Sequence, residues 1–195
     1  MKRDIILAGV GGQGIISIAS VIGFTALQQG LYMKQSEVHG MSQRGGNVQS
    51  DLRISDKEIA SDLIPLGKAD LIIAVEPLES LRYLPGLCKD GWVITSTTPY
   101  VNIANYPPID DILKEINSLP HHIALDAEAI AKDVGSVKAA NIVILGAASP
   151  FLDMAFEKLE NAIRFIFRKK GEEITAINLK ALHAGRDFTD QNRVN

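Results

Sequence analysis

Apolar positions along the chain fall into short unbroken runs and into helical stripes, and the two kinds alternate. Asp4 is followed by Ile5, Ile6, Leu7 and Ala8, a run of strand length that predicts a buried strand over residues 4–9. Ile15, Ile18, Ala19, Ile22 and Ala26 recur at spacings of three and four. They predict a helix over residues 13–29 with one face on a sheet, closed by Gly30 as a glycine just past its end. A second strand is expected over residues 31–38. Residues 47–55 alternate Val48, Ser50, Leu52 and Ile54 with Gln49, Asp51 and Arg53, the pattern of a half-exposed strand antiparallel to its neighbours. Core strands follow over residues 69–75 and 91–96, with a short helix over 78–84 between them. Residues 97–108 hold three prolines and two asparagines and read as an irregular crossing loop. Beyond it come a helix over 110–118, a strand over 121–126 and a helix over 127–134. Residues 139–148 are small and apolar on nearly all sides, as in a buried helix. Asp153 is placed to cap the next helix, whose inner face carries Ala155, Phe156, Leu159, Ala162, Ile163 and Ile166. Arg168-Lys169-Lys170-Gly171 closes that helix with positive charge at the negative end of its dipole. A last helix is expected over 172–182, with a tail from Gly185 onward.

The alternation of β and α segments, with one strand pair inserted early, predicts an α/β fold. The expected form is a three-layer α/β/α Rossmann-like sandwich with a mainly parallel sheet and an inserted antiparallel strand. Residues 1–187 read as a single domain and 188–195 as a C-terminal tail. The chain has 195 residues, enough for one such domain with a substantial core.

Composition narrows the function. Hydrophobic residues make up 46% and charged residues 22%, with a net charge of −3, so nothing favours nucleic acid and no basic stripe is present. The single cysteine, Cys88, rules out an internal disulfide and a four-cysteine iron–sulfur or zinc site held by this chain alone. It fits a reducing cytoplasm. No apolar run reaches the ~18 residues expected of a membrane span. Residues 1–4 lead straight into a strand and a glycine turn, without the pattern of a signal peptide.

The first candidate site is the turn after the first strand. Gly9-Val10-Gly11-Gly12-Gln13-Gly14 fits G-x-G-x-x-G between a strand and a helix. Unpaired N–H groups and the dipole at a helix start attract anions, and glycine lets a phosphate approach. The same glycines also serve a tight turn with no ligand. The second candidate is the polar loop that starts at His39-Gly40-Met41 and continues Ser42, Gln43, Arg44, Gly45, Gly46 and Asn47. Arg44 is a permanent planar cation among glycines, and His39 adds an imidazole, the side-chain type suited to proton exchange near neutral pH. The loop is either a solvated connection, a phosphate or carboxylate site, or an interface to a partner chain.

A nicotinamide-binding dehydrogenase needs an acid near the end of strand two, and Glu37 lies 23 residues past Gly14. Against it, the chain has no second, substrate-binding domain. Glu76-Pro77 ends a central strand at the expected ligand edge, where a carboxylate commonly faces solvent. His121 and His122 start a strand, His183 reads as surface, and Cys88 has no adjacent base. No nucleophile elbow, Walker lysine or metal-ligand spacing is present. Tyr32, Met33 and Met41 are candidates for an apolar, partner-facing edge, with Tyr32 and Met33 equally suited to the core.

Three separated segments carry a resemblance. AGVGGQGI at residues 8–15, SEVHGMSQRGGNVQSDLRI at 36–54 and EPLESLRYL at 76–84 resemble the γ-type chain of the 2-oxoacid:ferredoxin oxidoreductases. AANIVILGA at 139–147 and NLKALHAG at 178–185 fit as well, and the resemblance extends to about Asp187. The HGMSQRGG form is most similar to that of beta subunits of indolepyruvate:ferredoxin oxidoreductases. The resemblance implies one subunit of an enzyme that decarboxylates an aryl 2-oxoacid, transfers the oxidised residue to coenzyme A and reduces ferredoxin. It implies that thiamine diphosphate and iron–sulfur clusters sit in a larger alpha subunit, and that this chain holds no cofactor alone. It also implies that the glycine turn and residues 42–47 lie near the shared active site, with coenzyme A as substrate. An NAD(P)-binding dehydrogenase and a non-catalytic nucleotide-binding regulator remain the alternatives.

Overall fold

The computed structural model of the chain describes residues 1–39 (His39 by its backbone alone) and 45–192. Among them run strands β1 (Lys2–Val10), β2 (Tyr32–His39), β3 (Asn47–Ser55), β4 (Ala69–Ala74), β5 (Leu87–Ser96) and β6 (His122–Leu125). They form one sheet in the order β2-β3-β1-β4-β5-β6. β1, β4, β5 and β6 are parallel, and β3 is antiparallel to both of its neighbours. The helices are α1 (Ile15–Gln28), α2 (Pro77–Arg82), α3 (Ile109–Ser118), α4 (Ala127–Asp133), α5 (Ala140–Ala148), α6 (Phe156–Phe167) and α7 (Glu172–Asn192). The expected α/β/α layering and the inserted antiparallel strand are both present.

Side-chain alternation along β1 assigns the layers. Ile5 and Leu7 join the larger core with residues of α1, α5, α6 and α7. Ile6 and Ala8 point the other way, into a smaller cluster with Ile72, Ala74 and Val93, covered by Tyr83 and Leu84 just past α2. α1 ends as its sequence requires: Gly30 has φ 69°, and the N–H of Leu31 bonds back to Ala26 O at 3.0 Å.

Three expectations are corrected. Asp153 does not cap α6. It stands at φ 53° with its carboxylate on Arg3, and Ala155 occupies the cap position without a side-chain bond. The polar face of β3 is not open to solvent, because residues 56–68 fold back over it. The Ile64 N–H bonds Asp51 Oδ2 at 3.0 Å, and Arg53 donates to Ser61 O at 3.1 Å and Leu63 O at 3.0 Å. Third, Gly185 does not begin a tail. α7 runs through it to Asn192, so a boundary after residue 187 falls inside the helix. Thr189 is fully buried and donates to Ala147 O at 2.9 Å. The reason is contact between helices: a Cβ on Gly185 would lie 1.9 Å from Val143 O, and one on Gly146 would lie 2.1 Å from Leu182 O. The two glycines let α5 and α7 touch backbone to backbone.

Candidate functional site

β1, β4, β5 and β6 all end at one edge of the sheet, where α/β folds place ligands. β2 ends there too, since both it and β1 oppose β3. The glycine turn leaves β1 at this edge. Gly12 (φ 104°) and Gly14 (φ 83°) use backbone conformations that side chains disfavour. Gly9, still in the strand, is small for packing: its Cβ would lie 2.4 Å from Val75 Cγ2. Gln13 stitches the turn, its Oε1 accepting from Val10 N–H at 2.8 Å. Gly14 takes the N-cap position of α1 and offers no side-chain cap, so the first-turn amides depend on backbone or ligand acceptors. Its carbonyl accepts from Asn141 Nδ2 at 3.0 Å, which ties α5 to the turn.

The two sequence candidates meet. Gly11 N–H donates to Gly46 O at 2.9 Å, and Gly45 N–H approaches Gly11 O at 3.5 Å. Asn102, from the crossing loop, donates to Gly45 O at 2.7 Å. Asn47 Nδ2 reaches Tyr83 Oη at 3.4 Å. Ser42, Gln43, Arg44 and Met41 lie outside the described residues, as does the side chain of His39.

Glu76 reverses its expectation. Instead of facing solvent it is 1% exposed. Its Oε2 accepts from Glu79 N–H at 2.8 Å, capping α2, and its Oε1 accepts from Tyr100 N–H and from the Tyr106 hydroxyl. Burial, and then that hydrogen bond to Glu76, push the Tyr106 phenol far above the ordinary tyrosine range. Burial likewise raises the Glu79 carboxyl against the opposing pull of Arg82, which is bound at 2.9 Å. The sequence signal for Glu76 was its neighbourhood: an acid, a proline at the first helical position and a second acid three residues on.

A cleft of about 730 Å³ opens beside the turn, a usual size for a small-molecule site. Gly12, Gln13 and Gly14 line it together with Asn141 and Lys138, while Ile144 and Phe167 contribute apolar lining. Sequence reasoning did not select Asn141, Asn102 or Lys138, because nothing local marks them. A fringe of apolar side chains stands in solvent near the same edge: Ile16 at 58%, Val38 at 61%, Val101 at 69% and Ile103 at 41% exposure.

The remaining candidates lie apart from this site. Tyr32 is exposed near the opposite end of β2, and Met33 packs on the core with its sulfur against Gly23. His122 Nδ1 contacts Leu119 O at 2.8 Å, and His121 stacks on Trp92. His183 pairs with Glu160 on the surface. Among the described residues no group of His, Cys, Asp and Glu has the makings of a metal site. No helix there is long and apolar enough to cross a membrane.

Residues 4–188 match the family of pyruvate ferredoxin/flavodoxin oxidoreductases. The chain belongs to that family. The indolepyruvate oxidoreductase subunit IorB of Archaeoglobus fulgidus is 39% identical over 95% of this chain and 94% of its own length. IorB of Thermococcus kodakarensis is 35% identical over 94% of each. The gamma subunit of a keto/oxoacid ferredoxin oxidoreductase from Geobacter sulfurreducens superposes with a TM-score of 0.68 at 27% identity, covering 97% of this chain and 99% of that one. A 2-oxoglutarate:ferredoxin oxidoreductase from Magnetococcus marinus, solved with 2-oxoglutarate, coenzyme A and succinyl-CoA bound, shares the fold with a TM-score of 0.76 at 22% identity. There the match covers 97% of this chain but 31% of the longer one. This family member is therefore a subunit of a 2-oxoacid:ferredoxin oxidoreductase. The dehydrogenase alternative is not favoured, and the sheet order gives a physical reason. β3 separates β2 from β1, so Glu37 lies two strands, about 10 Å, from the strand that carries the glycines. A ribose clamp needs those strands adjacent.

Proposed function

We propose that this chain is the small subunit of a cytoplasmic indolepyruvate:ferredoxin oxidoreductase. In this reading its glycine-turn edge faces both the larger subunit and coenzyme A. The reaction so assigned removes carbon dioxide from an aryl 2-oxoacid, joins the oxidised acyl residue to the coenzyme A thiol and passes two electrons to ferredoxin. Thiamine diphosphate and iron–sulfur clusters, bound in the larger subunit, supply the carbanion and electron-transfer chemistry. The lone Cys88 is too few for a four-cysteine cluster ligated by this chain alone.

The observation that carries the reading is the pairing of Gly11 with Gly45 and Gly46. It brings the glycine turn and the segment leading from Arg44 to one edge. In this reading, backbone donors at the start of α1 and the Arg44 guanidinium serve one anionic group, a phosphate of coenzyme A or the substrate carboxylate. The exposed Ile16, Val38, Val101 and Ile103 suit a surface that another subunit covers. Support for the substrate class comes from the IorB relatives.

The test is anaerobic co-purification of the tagged chain, followed by coenzyme A-dependent reduction of a viologen dye with indolepyruvate. A large iron–sulfur subunit in an active eluate upholds the assignment. A lone chain that binds NAD(H) overturns it. In the active complex, Arg44→Ala is expected to raise KM for coenzyme A or for the oxoacid; unchanged constants and turnover refute the anion-binding role.

A further inference from the structure

The 97–108 loop has little apolar burial to hold it: Tyr100, Val101 and Ile103 are all more than 40% exposed. Its fixed points are polar. At the start, Thr97 N–H bonds Leu125 O at 2.9 Å and Thr98 N–H bonds Ser96 Oγ at 3.1 Å. At the far side, Tyr100 N–H and the Tyr106 hydroxyl both converge on Glu76 Oε1. A carboxylate removed from water is costly unless donors surround it, so the loop conformation that supplies two of them is favoured over those that do not. Between these two donors lies Asn102, which holds Gly45 O, and Gly45 and Gly46 pair with Gly11.

We infer that Glu76 is a positioning residue: its buried carboxylate sets the crossing loop, and through Asn102 the loop sets the Gly45–Gly46 turn against the glycine turn. The same carboxylate caps α2 through its other oxygen, so helix and loop share one anchor. The effect on coenzyme A rests on the proposed function. The effect on the loop does not.

Tyr106→Phe separates the two tasks of Glu76, because it removes a loop donor and leaves the α2 cap in place. In the purified full chain, amide exchange across residues 98–106 is expected to speed up about tenfold or more, the loss of one hydrogen bond to a charged acceptor, with α2 unchanged. Glu76→Gln, which cannot accept at both oxygens, is expected to loosen loop and α2 together. In the reconstituted complex, Tyr106→Phe is expected to raise KM for coenzyme A severalfold with kcat nearly unchanged. Unchanged exchange in Tyr106→Phe overturns the anchor. Faster exchange with an unchanged KM, where Arg44→Ala does raise it, overturns the positioning role and leaves the coenzyme A reading standing. If neither variant alters the constants for coenzyme A or the oxoacid, nor turnover, the reading of the site falls instead, and the loop data alone decide on the anchor.

Discussion

Gly185→Ala adds one methyl group to α7 at the point where it touches α5. The new Cβ would sit 1.9 Å from Val143 O and 2.8 Å from Ala147 N, both backbone atoms that no rotamer change moves. Ordinary contact begins near 3.4 Å, so the helices must part by about 1.5 Å. A gap of even 0.5–1 Å forfeits roughly a quarter to a half of the dispersion between facing atoms. The atoms concerned belong to fully buried residues, among them Val143, Ala147, Ala181 and Leu182. Overpacking of this kind costs about 3 kcal/mol, and the better helix propensity of alanine returns about 1. The net loss of about 2 kcal/mol corresponds to a fall in Tm of about 4–8 °C for a domain of this size. Gly23→Ala is the matched control. Its Cβ would meet Met33 Sδ at 2.5 Å, but that atom is on a flexible side chain. The propensity gain then roughly cancels the contact, and Tm stays near that of the parent. Thermal melts followed by circular dichroism read both. If Gly185→Ala melts no lower than Gly23→Ala, the close helix approach is wrong. The double variant Gly146→Ala/Gly185→Ala should cost less than the sum of the singles, since one displacement relieves both contacts.

Gly14→Ala forces a side chain onto φ 83° and to 2.4 Å from Asn141 Nδ2, so urea titration should show a loss of about 2 kcal/mol, and an unchanged midpoint would contradict the turn geometry. Arg53→Lys loses the fork that grips both oxygens of buried Asp4 at 2.8 and 3.1 Å, together with its bonds to Ser61 O and Leu63 O. A loss of about 2 kcal/mol and faster proteolysis within residues 56–68 are expected, and wild-type resistance to the protease would count against the latch. Glu79 has a folded pKa above its unfolded value, so the native state binds the extra proton between the two. Its contribution to stability is full below the ordinary glutamate value and falls as pH rises through the raised one. The stability of the parent relative to Glu79→Gln should therefore decline as pH rises above the ordinary glutamate value, and a flat or rising difference refutes the assignment.

Local pattern was enough for most elements. The apolar run after Asp4, the three–four spacing from Ile15 to Ala26 and the alternation from Val48 to Ile54 each place their element to within a few residues. These patterns record which faces are buried, and burial of a face is a local property of helix and strand. The glycine turn was visible for the same reason, since positive φ at Gly12 and Gly14 is a demand of the chain itself. What no local pattern carried was partnership. Gly185 reads as a helix end until α5 is seen against it, because one residue type serves both a terminal turn and a close contact. Asp153 reads as a cap until Arg3, far away along the chain, takes its carboxylate. Glu76 reads as solvent-facing until Tyr100 and Tyr106 fold over it. The insertion of β3 between β2 and β1, which moves Glu37 away from the glycines, is a choice among sheet orders that the same strand patterns permit. Element type follows from which positions avoid water along a short stretch. Site geometry follows from which distant groups satisfy one another's charges and hydrogen bonds, and only the folded chain brings those together.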